Sequence, residues 1–472
     1  EQKIEPGRAR QLVWLNTQYE YLVCRLGGHL VRRGSRTESW ARKSVASIGT
    51  DLKALLGGRD PFRLRRGHIL KGYVSEIDGR IQPYALYVPK EYRKSDPCPL
   101  VVHMHGHGWY RPFQGVEPPQ VRNAIVLSPH GRGSMDYMFV AEEDVLACID
   151  EVKTDYAIDA DRVYLMGHSM GGTGSWSLAT KYPDRFAAIG PSAANADSKA
   201  WKNVGAKHAK DEGSFAWLRS GLRASLDPVT YAGNLLHVPA FFLHGDKDKV
   251  VPVGNSRSMA KALAEAGCPH VYREGAGGHG WRPRRTVVEL HDYVLGKVRV
   301  TRPQRVRLKA GYLKYGKAYW VRILRLGRRD QLGEIDAAVR SESLINAKAK
   351  GIAVMELDLN RCPVDATRAL LIVVNGQPAF HTVPPPGGRI ALARVGARWE
   401  VISGLEGLHK KPYLEGPVAD AYTSSFVLVV GTTSTNATDR NVLRQEAERF
   451  AADWELLYTK PPRVKDDGEL TE

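Results

Sequence analysis

Arg162-Val163-Tyr164-Leu165-Met166-Gly167-His168-Ser169-Met170-Gly171-Gly172-Thr173-Gly174 is the stretch on which the reading of this chain turns. Its first five residues make a short apolar strand, and the run from Met170 to Lys181 is compatible with a helix. Between them stands a GxSxG pentapeptide, Gly167 to Gly171. A serine on a tight strand-to-helix turn sits in strained backbone, and a side chain two residues to either side would clash where strand and helix pass. Glycines at 167 and 171 remove that clash, and Gly172 and Gly174 permit further close packing. GxSxG alone is common by chance. Here a strand precedes it and a helix follows.

Outward from this stretch the same alternation repeats. Leu100–Met104, Ala124–Ser128, Val163–Met166, Ala187–Ile189, Ala240–Leu243 and Val271–Arg273 read as strands. Glu142–Lys153, Met170–Lys181, Asn255–Ala266 and Val287–Leu295 read as helices. Short apolar strands without alternation, separated by helices, predict a mostly parallel sheet covered on both faces. Upstream, residues 8–57 carry helical spacing, with a break expected at Gly27-Gly28. Asp78-Gly79 marks a hairpin between Tyr73–Ile77 and Gln82–Val88. After Val300 the chain becomes strand-rich, at Tyr319–Leu324, Ala337–Val339, Ile352–Leu357, Leu370–Val374 and Ile390–Ala393. The expected organisation is a helical segment over 1–64, a catalytic α/β domain over 65–299, a sandwich-like β domain over 300–433, and a helix with a polar tail over 434–472.

A serine hydroxyl is a poor nucleophile until a base takes its proton. The base expected here is His279, in the loop Gly275-Ala276-Gly277-Gly278-His279-Gly280-Trp281 before the last helix of the domain. The acid lies in His244-Gly245-Asp246-Lys247-Asp248, directly after an apolar strand. Asp246 and Asp248 share that loop, and spacing alone does not choose between them. The order Ser169, Asp, His279 is that of the α/β-hydrolase fold. An oxyanion hole needs two backbone N–H donors. The expected pair is Met170, next after the nucleophile, and His107, in the loop after the strand ending at Met104, with Gly106 and Gly108 shaping it. His103, His105 and His107 also form an HxHxH, a spacing that places side chains on one face of a strand as metal ligands require. No Asp or Cys follows at ligand spacing, so we expect no metal and no cofactor. Trp109, Tyr110 and Trp281 flank these loops and are candidates for a substrate-binding wall, with core packing as the plain alternative.

The chain has 472 residues, with 68 Lys plus Arg against 51 Asp plus Glu, a net charge of +17. At about 150 residues per domain this suggests about three domains. The basic residues are dispersed, as in Arg282/Arg284/Arg285 and Arg325/Arg328/Arg329, so no nucleic-acid-binding face is expected. A solvated basic surface is the plain reading, and attraction to an anionic polymer such as a uronic-acid polysaccharide the sharper one. The five cysteines are scattered, with no CxxC, which excludes a disulfide scaffold and a zinc ribbon. No apolar run reaches the ~20 residues of a membrane span. The chain starts at Glu1 with no charged-then-apolar leader; either an export signal has been removed, as expected of a secreted or periplasmic protein, or the sequence simply begins here. Nothing in the sequence sets an oligomeric state.

Gly167-His168-Ser169-Met170-Gly171-Gly172, His244-Gly245-Asp246-Lys247-Asp248-Lys249-Val250-Val251-Pro252 and Gly277-Gly278-His279-Gly280 together resemble the bacterial α/β-hydrolases of the prolyl-oligopeptidase-like and feruloyl-esterase-like group. Asp78 to Pro89 and Glu143-Asp144-Val145 are similar to that group as well. The resemblance covers roughly residues 65–297. It implies that the triad acid is Asp248, by the family pattern HGxxDxxVP. Gly416 to Tyr422 resembles the distal part of larger members, which continue past the point where this chain stops. Peptidases of the group carry a large propeller before the hydrolase domain, and only about 65 helical residues precede it here. The expected activity is therefore hydrolysis of a carboxylic ester, on a small molecule or a polysaccharide, through an acyl-enzyme on Ser169. A serine peptidase with the same triad, or a non-catalytic binding protein with a relic site, are the alternatives.

Overall fold

The computed structural model describes residues 6–29, 35–62, 65–108, 118–203, 225–328, 331–415, 418–458 and 461–470. Two compact units divide the chain: residues 1–159 with 421–472, and residues 160–420.

In the first unit, helices α1 (Pro6–His29) and α2 (Ser35–Leu56) pack through Trp14, Leu15, Leu55 and Phe62. Helix α1 runs through Gly27-Gly28 to His29, where the sequence predicted a break. Each glycine costs a helix only about 1 kcal/mol, and the buried face of Trp14, Leu15 and Leu22 holds it. Strands β1 (Gly67–Val74) and β2 (Ile81–Val88) form the expected hairpin, its turn closed by Ser75 N–H to Arg80 O at 2.8 Å. Strands β3 (Cys98–Met104) and β4 (Ile125–Pro129) pair in parallel, β4 lies against β2, and α3 (Val140–Asp155) follows. Asp78 of the hairpin does more than turn the chain. It receives the wholly buried Arg132 guanidinium at 2.5 Å, while Asp144 of α3 accepts Tyr73 Oη–H at 2.6 Å.

The second unit begins with an α/β half. Strand β5 (Ile158–His168) enters it, followed by α4 (Met170–Lys181), β6 (Ala188–Ser192), β7 (Ala240–Gly245), α5 (Gly254–Glu265), β8 (His270–Gly275) and α6 (Arg284–Leu295). The strands run parallel in the order β5-β6-β7-β8. Parallel pairing explains the continuous burial of β6 and β7, which are covered on both faces and need no polar alternation, while the edge strand β8 is only partly covered. Together with the first unit's elements, this is the α/β-hydrolase fold. Residues 305–402 are the β-rich region, with two five-stranded sheets among the described residues. Here burial does alternate, as in Leu370–Val374, and Ile323, Leu357 and Ile390 from one sheet share a core with Ile335, Ile345 and Ile372 from the other.

The chain then returns to the first unit. Leu428–Val430 pairs in parallel with Val464–Asp466, and α7 (Ala437–Tyr458) buries Trp454 beside Ile77 and Val140. The four cysteines whose side chains are described, Cys98, Cys148, Cys268 and Cys362, are buried thiols. No described helix is long and apolar enough to cross a membrane.

The turn from β5 into α4 leaves no room for a side chain at Gly167 or Gly172. A Cβ on Gly167 would lie 2.4 Å from the carbonyl carbon of Gly171, and one on Gly172 would lie 2.8 Å from Ala194 Cβ. Backbone cannot give way as a side chain can. Gly167→Ala is therefore expected to cost about 1–3 kcal/mol of stability, read as a lower melting temperature. An unchanged melt would show that strand and helix do not approach this closely.

Candidate active site

The candidate residues of the second unit follow the carboxyl ends of three parallel strands. Ser169 follows β5, Asp246 and Asp248 follow β7, and His279 follows β8. Loops at this edge of a parallel sheet are where α/β folds assemble their sites.

Ser169 has φ 57° and ψ −122°, a conformation costly for any residue with a side chain. Its N–H donates to Ser192 O at 2.8 Å, and its carbonyl accepts Thr173 N–H at 3.0 Å. These two bonds hold the residue between β6 and the first turn of α4. Met170 opens α4, so its N–H belongs to the first-turn donors that have no acceptor within the helix.

His279 Nδ1–H donates to Asp248 Oδ2 at 2.7 Å. The Asp248 side chain is fully buried, whereas that of His279 is 23% exposed. Asp248 Oδ1 accepts Val250 N–H at 2.8 Å and Val251 N–H at 2.9 Å. Burial by itself would raise the pKa of this carboxyl; the His279 bond and the two amides outweigh it and hold it below the ordinary aspartate value. The aspartate therefore stays ionised beside the imidazole. The rings of His279 and His168 lie 4.7 Å apart, which sets the imidazole next to the residue preceding Ser169. Ser169 Oγ and His279 are not hydrogen-bonded in this structure. Such bonds in unliganded sites are often long and tighten only with substrate.

Asp246 does something else. Its Oδ1 accepts Gly277 N–H at 3.0 Å, its own N–H donates to Gly275 O at 2.9 Å, and Lys247 N–H donates to Gly277 O at 2.9 Å. Asp246 ties the acid loop to the histidine loop, and Asp248 touches the imidazole. Trp281 is half-buried, its indole filling the space over Gly275 and Gly277. It shapes the loop that carries His279.

His107 is exposed in the loop after β3, in the first unit. Trp109 and Tyr110 lie outside the described residues. Both ring nitrogens of the buried His105 face backbone carbonyls, of Gly106 at 2.8 Å and His130 at 2.9 Å. These contacts tie the middle histidine of the HxHxH into the loop. The sequence reading passed over His244, which also reaches Asp248, and over His168. The x positions of GxSxG and the first residue of HGxxDxxVP were the available signals.

Residues 121–295 match the prolyl oligopeptidase family. The chain is 26% identical over 212 residues to an Aspergillus oryzae protein named "Probable feruloyl esterase C", covering 42% of this chain and 67% of the relative. It is 31% identical over 127 residues to an "Uncharacterized secreted protein" of Arthroderma benhamiae, covering 26% of this chain and 13% of that one. Among solved structures, a thermostable esterase overlays with a TM-score of 0.37 at 25% identity, covering 49% of this chain and 63% of the esterase. The fold is that of an α/β-hydrolase, and residues 121–295 carry the match to the prolyl oligopeptidase family. The chain is a serine ester hydrolase, and it matches the relatives named feruloyl esterase C over about two thirds of their length.

Two expectations follow from the geometry. Asp248→Asn should lower kcat by about 10²- to 10⁴-fold, as loss of the orienting carboxylate does elsewhere. Asp246→Asn keeps an oxygen for Gly277 N–H and should lose about tenfold or less. The reverse order, in steady-state assays of folded protein, would reassign the acid. The second expectation concerns acid stability. Burial, with Arg282 and His279 nearby, pushes the His168 pKa down to about 3. The unfolded chain binds that proton near pH 6.5, and the folded chain does not bind it until about pH 3. Stability should therefore fall as pH drops from about 6.5 toward 3. His168→Asn should flatten the acid side of the melting-temperature profile; an unaltered profile would remove His168 from this account.

Proposed function

We propose that Ser169, His279 and Asp248 are the catalytic triad of this ester hydrolase. The observation that carries the reading is the 2.7 Å bond from His279 Nδ1–H to Asp248 Oδ2, beside a serine held in strained backbone at the head of α4. With Nδ1 committed to the aspartate, Nε2 of the neutral ring keeps its lone pair and serves as the base.

In this scheme Ser169 Oγ attacks the acyl carbon while His279 Nε2 takes its proton. The tetrahedral oxyanion lies against Met170 N–H, at the positive end of α4. Collapse expels the alcohol, which receives the proton from His279. Water, activated by the same imidazole, then releases the acid and restores the serine. Asp248 fixes the imidazole tautomer and stabilises its charged form throughout.

The proposed substrates are esters on polysaccharides, of the feruloyl or acetyl type. The support is the feruloyl esterase name carried by the relatives and the net charge of +17, which suits an anionic polymer. The proposed location is outside the cytoplasm, as the name of the Arthroderma benhamiae relative says of that protein. The family match to prolyl oligopeptidases gives the second reading, a serine peptidase.

A panel of methyl ferulate, p-nitrophenyl acetate and aminoacyl-p-nitroanilides separates the two. Esters should show much the higher kcat/KM, with a burst of alcohol release when deacylation limits the rate. Preference for the anilides would overturn the esterase reading and keep the triad.

A further inference from the structure

Asp248 Oδ2 is shared by two imidazoles. Besides His279, it faces His244 Nε2 at 3.1 Å. His244 is the residue before the last of β7, and its side chain is wholly buried. Its Nε2 also faces Val251 O at 3.0 Å. Two acceptors converge on that nitrogen, so it carries the proton and donates. Nδ1 is then the acceptor of the neutral ring, and Ser256 Oγ–H, 2.7 Å away at the start of α5, donates to it. Burial keeps the His244 pKa below the ordinary histidine value, although Val251 O and Asp248 pull the other way.

Ser256 thus selects the tautomer of His244, and that tautomer offers an N–H to the carboxylate oxygen that His279 uses. Among the described residues, the loop amides of Val250 and Val251 bond only Oδ1. Oδ2 is left to the two imidazoles. The charged and titratable groups around the pair are His279 with its neighbours His168 and Arg282, and Glu274 of β8 near His244.

We propose that His244, set by Ser256, is a positioning residue for the hydrolysis: it fixes the direction and basicity of Asp248 Oδ2 toward His279. The inference rests on the assignment of Asp248 as the triad acid. Without the second donor, Oδ2 is free to turn away from the imidazole, which lowers kcat. It also becomes more basic and favours the charged imidazole, which moves the acid limb of kcat/KM to higher pH. A residue that merely supports the fold would change the amount of folded enzyme and leave that limb in place.

The test compares His244→Leu, His244→Gln, Ser256→Ala and Asp248→Asn with the parent, using a p-nitrophenyl ester over a pH series and a thermal melt for each. His244→Leu should lower kcat about 10- to 100-fold, the cost of one hydrogen bond to a charged group, with KM little changed and the acid limb raised. His244→Gln, whose amide N–H reaches the same oxygen, should recover most of the loss. Ser256→Ala should lower kcat by a smaller factor and move the limb the same way. If His244→Leu does not fold, Ser256→Ala decides. Parental kcat and an unmoved limb in the folded variants, with Asp248→Asn crippled, would overturn this inference and leave the triad standing. Parental activity in Asp248→Asn would overturn the triad assignment beneath it.

Discussion

Ser169 holds a backbone conformation that costs an L-residue about 1–3 kcal/mol, and the site depends on the contacts that keep it there. Its N–H is tied to Ser192 O, and its carbonyl takes the first return bond of α4 from Thr173. Gly167 and Gly171 lie so close that no side chain fits between them. The strand cannot relax without pushing against the helix. The outcome is a serine held at the end of β5, immediately before the N–H groups that open α4. Stability is spent locally so that the proposed nucleophile and the proposed oxyanion donor come from one turn.

The second constraint is the coupling of two loops. The acid loop and the histidine loop follow neighbouring parallel strands, and their register continues past the strand ends, from Gly245 opposite Gly275 to Lys247 N–H on Gly277 O. Asp246 closes that zipper. Asp248, two residues on, is thereby carried to His279 with both oxygens engaged. Four donors hold one carboxylate: two amides, His279 and His244. That concentration of donors keeps the buried group ionised.

The α/β part of the fold was legible because its signals are local. Each strand is a short apolar run, and each candidate residue follows one within a few positions. Helix α4 matched its predicted bounds, and Leu370–Val374 matched residue for residue. Partnerships across long stretches of chain were not legible. Asp78 reads as a turn residue, yet it pairs with Arg132 54 positions away. Arg463 bonds the carbonyls of Glu76 and Ile77 across nearly the whole chain, and α7 returns to the first unit. Periodicity says that α7 is amphipathic and nothing about what it meets. The roles of Asp246 and His244 were hidden for a related reason. Both depend on which atoms of a loop face which oxygen, and residue spacing does not encode that. The expectation that Asp248 rather than Asp246 serves His279 came from resemblance to a family pattern, and the contact observed with the imidazole is made by Asp248.

The central claim is that Ser169 is the nucleophile. Its most direct test is the mass of the full-length chain after reaction with a fluorophosphonate, followed by peptide mapping. The account predicts a single adduct on Ser169, absent in Ser169→Ala. An adduct on another residue, or undiminished labelling of Ser169→Ala, would contradict it.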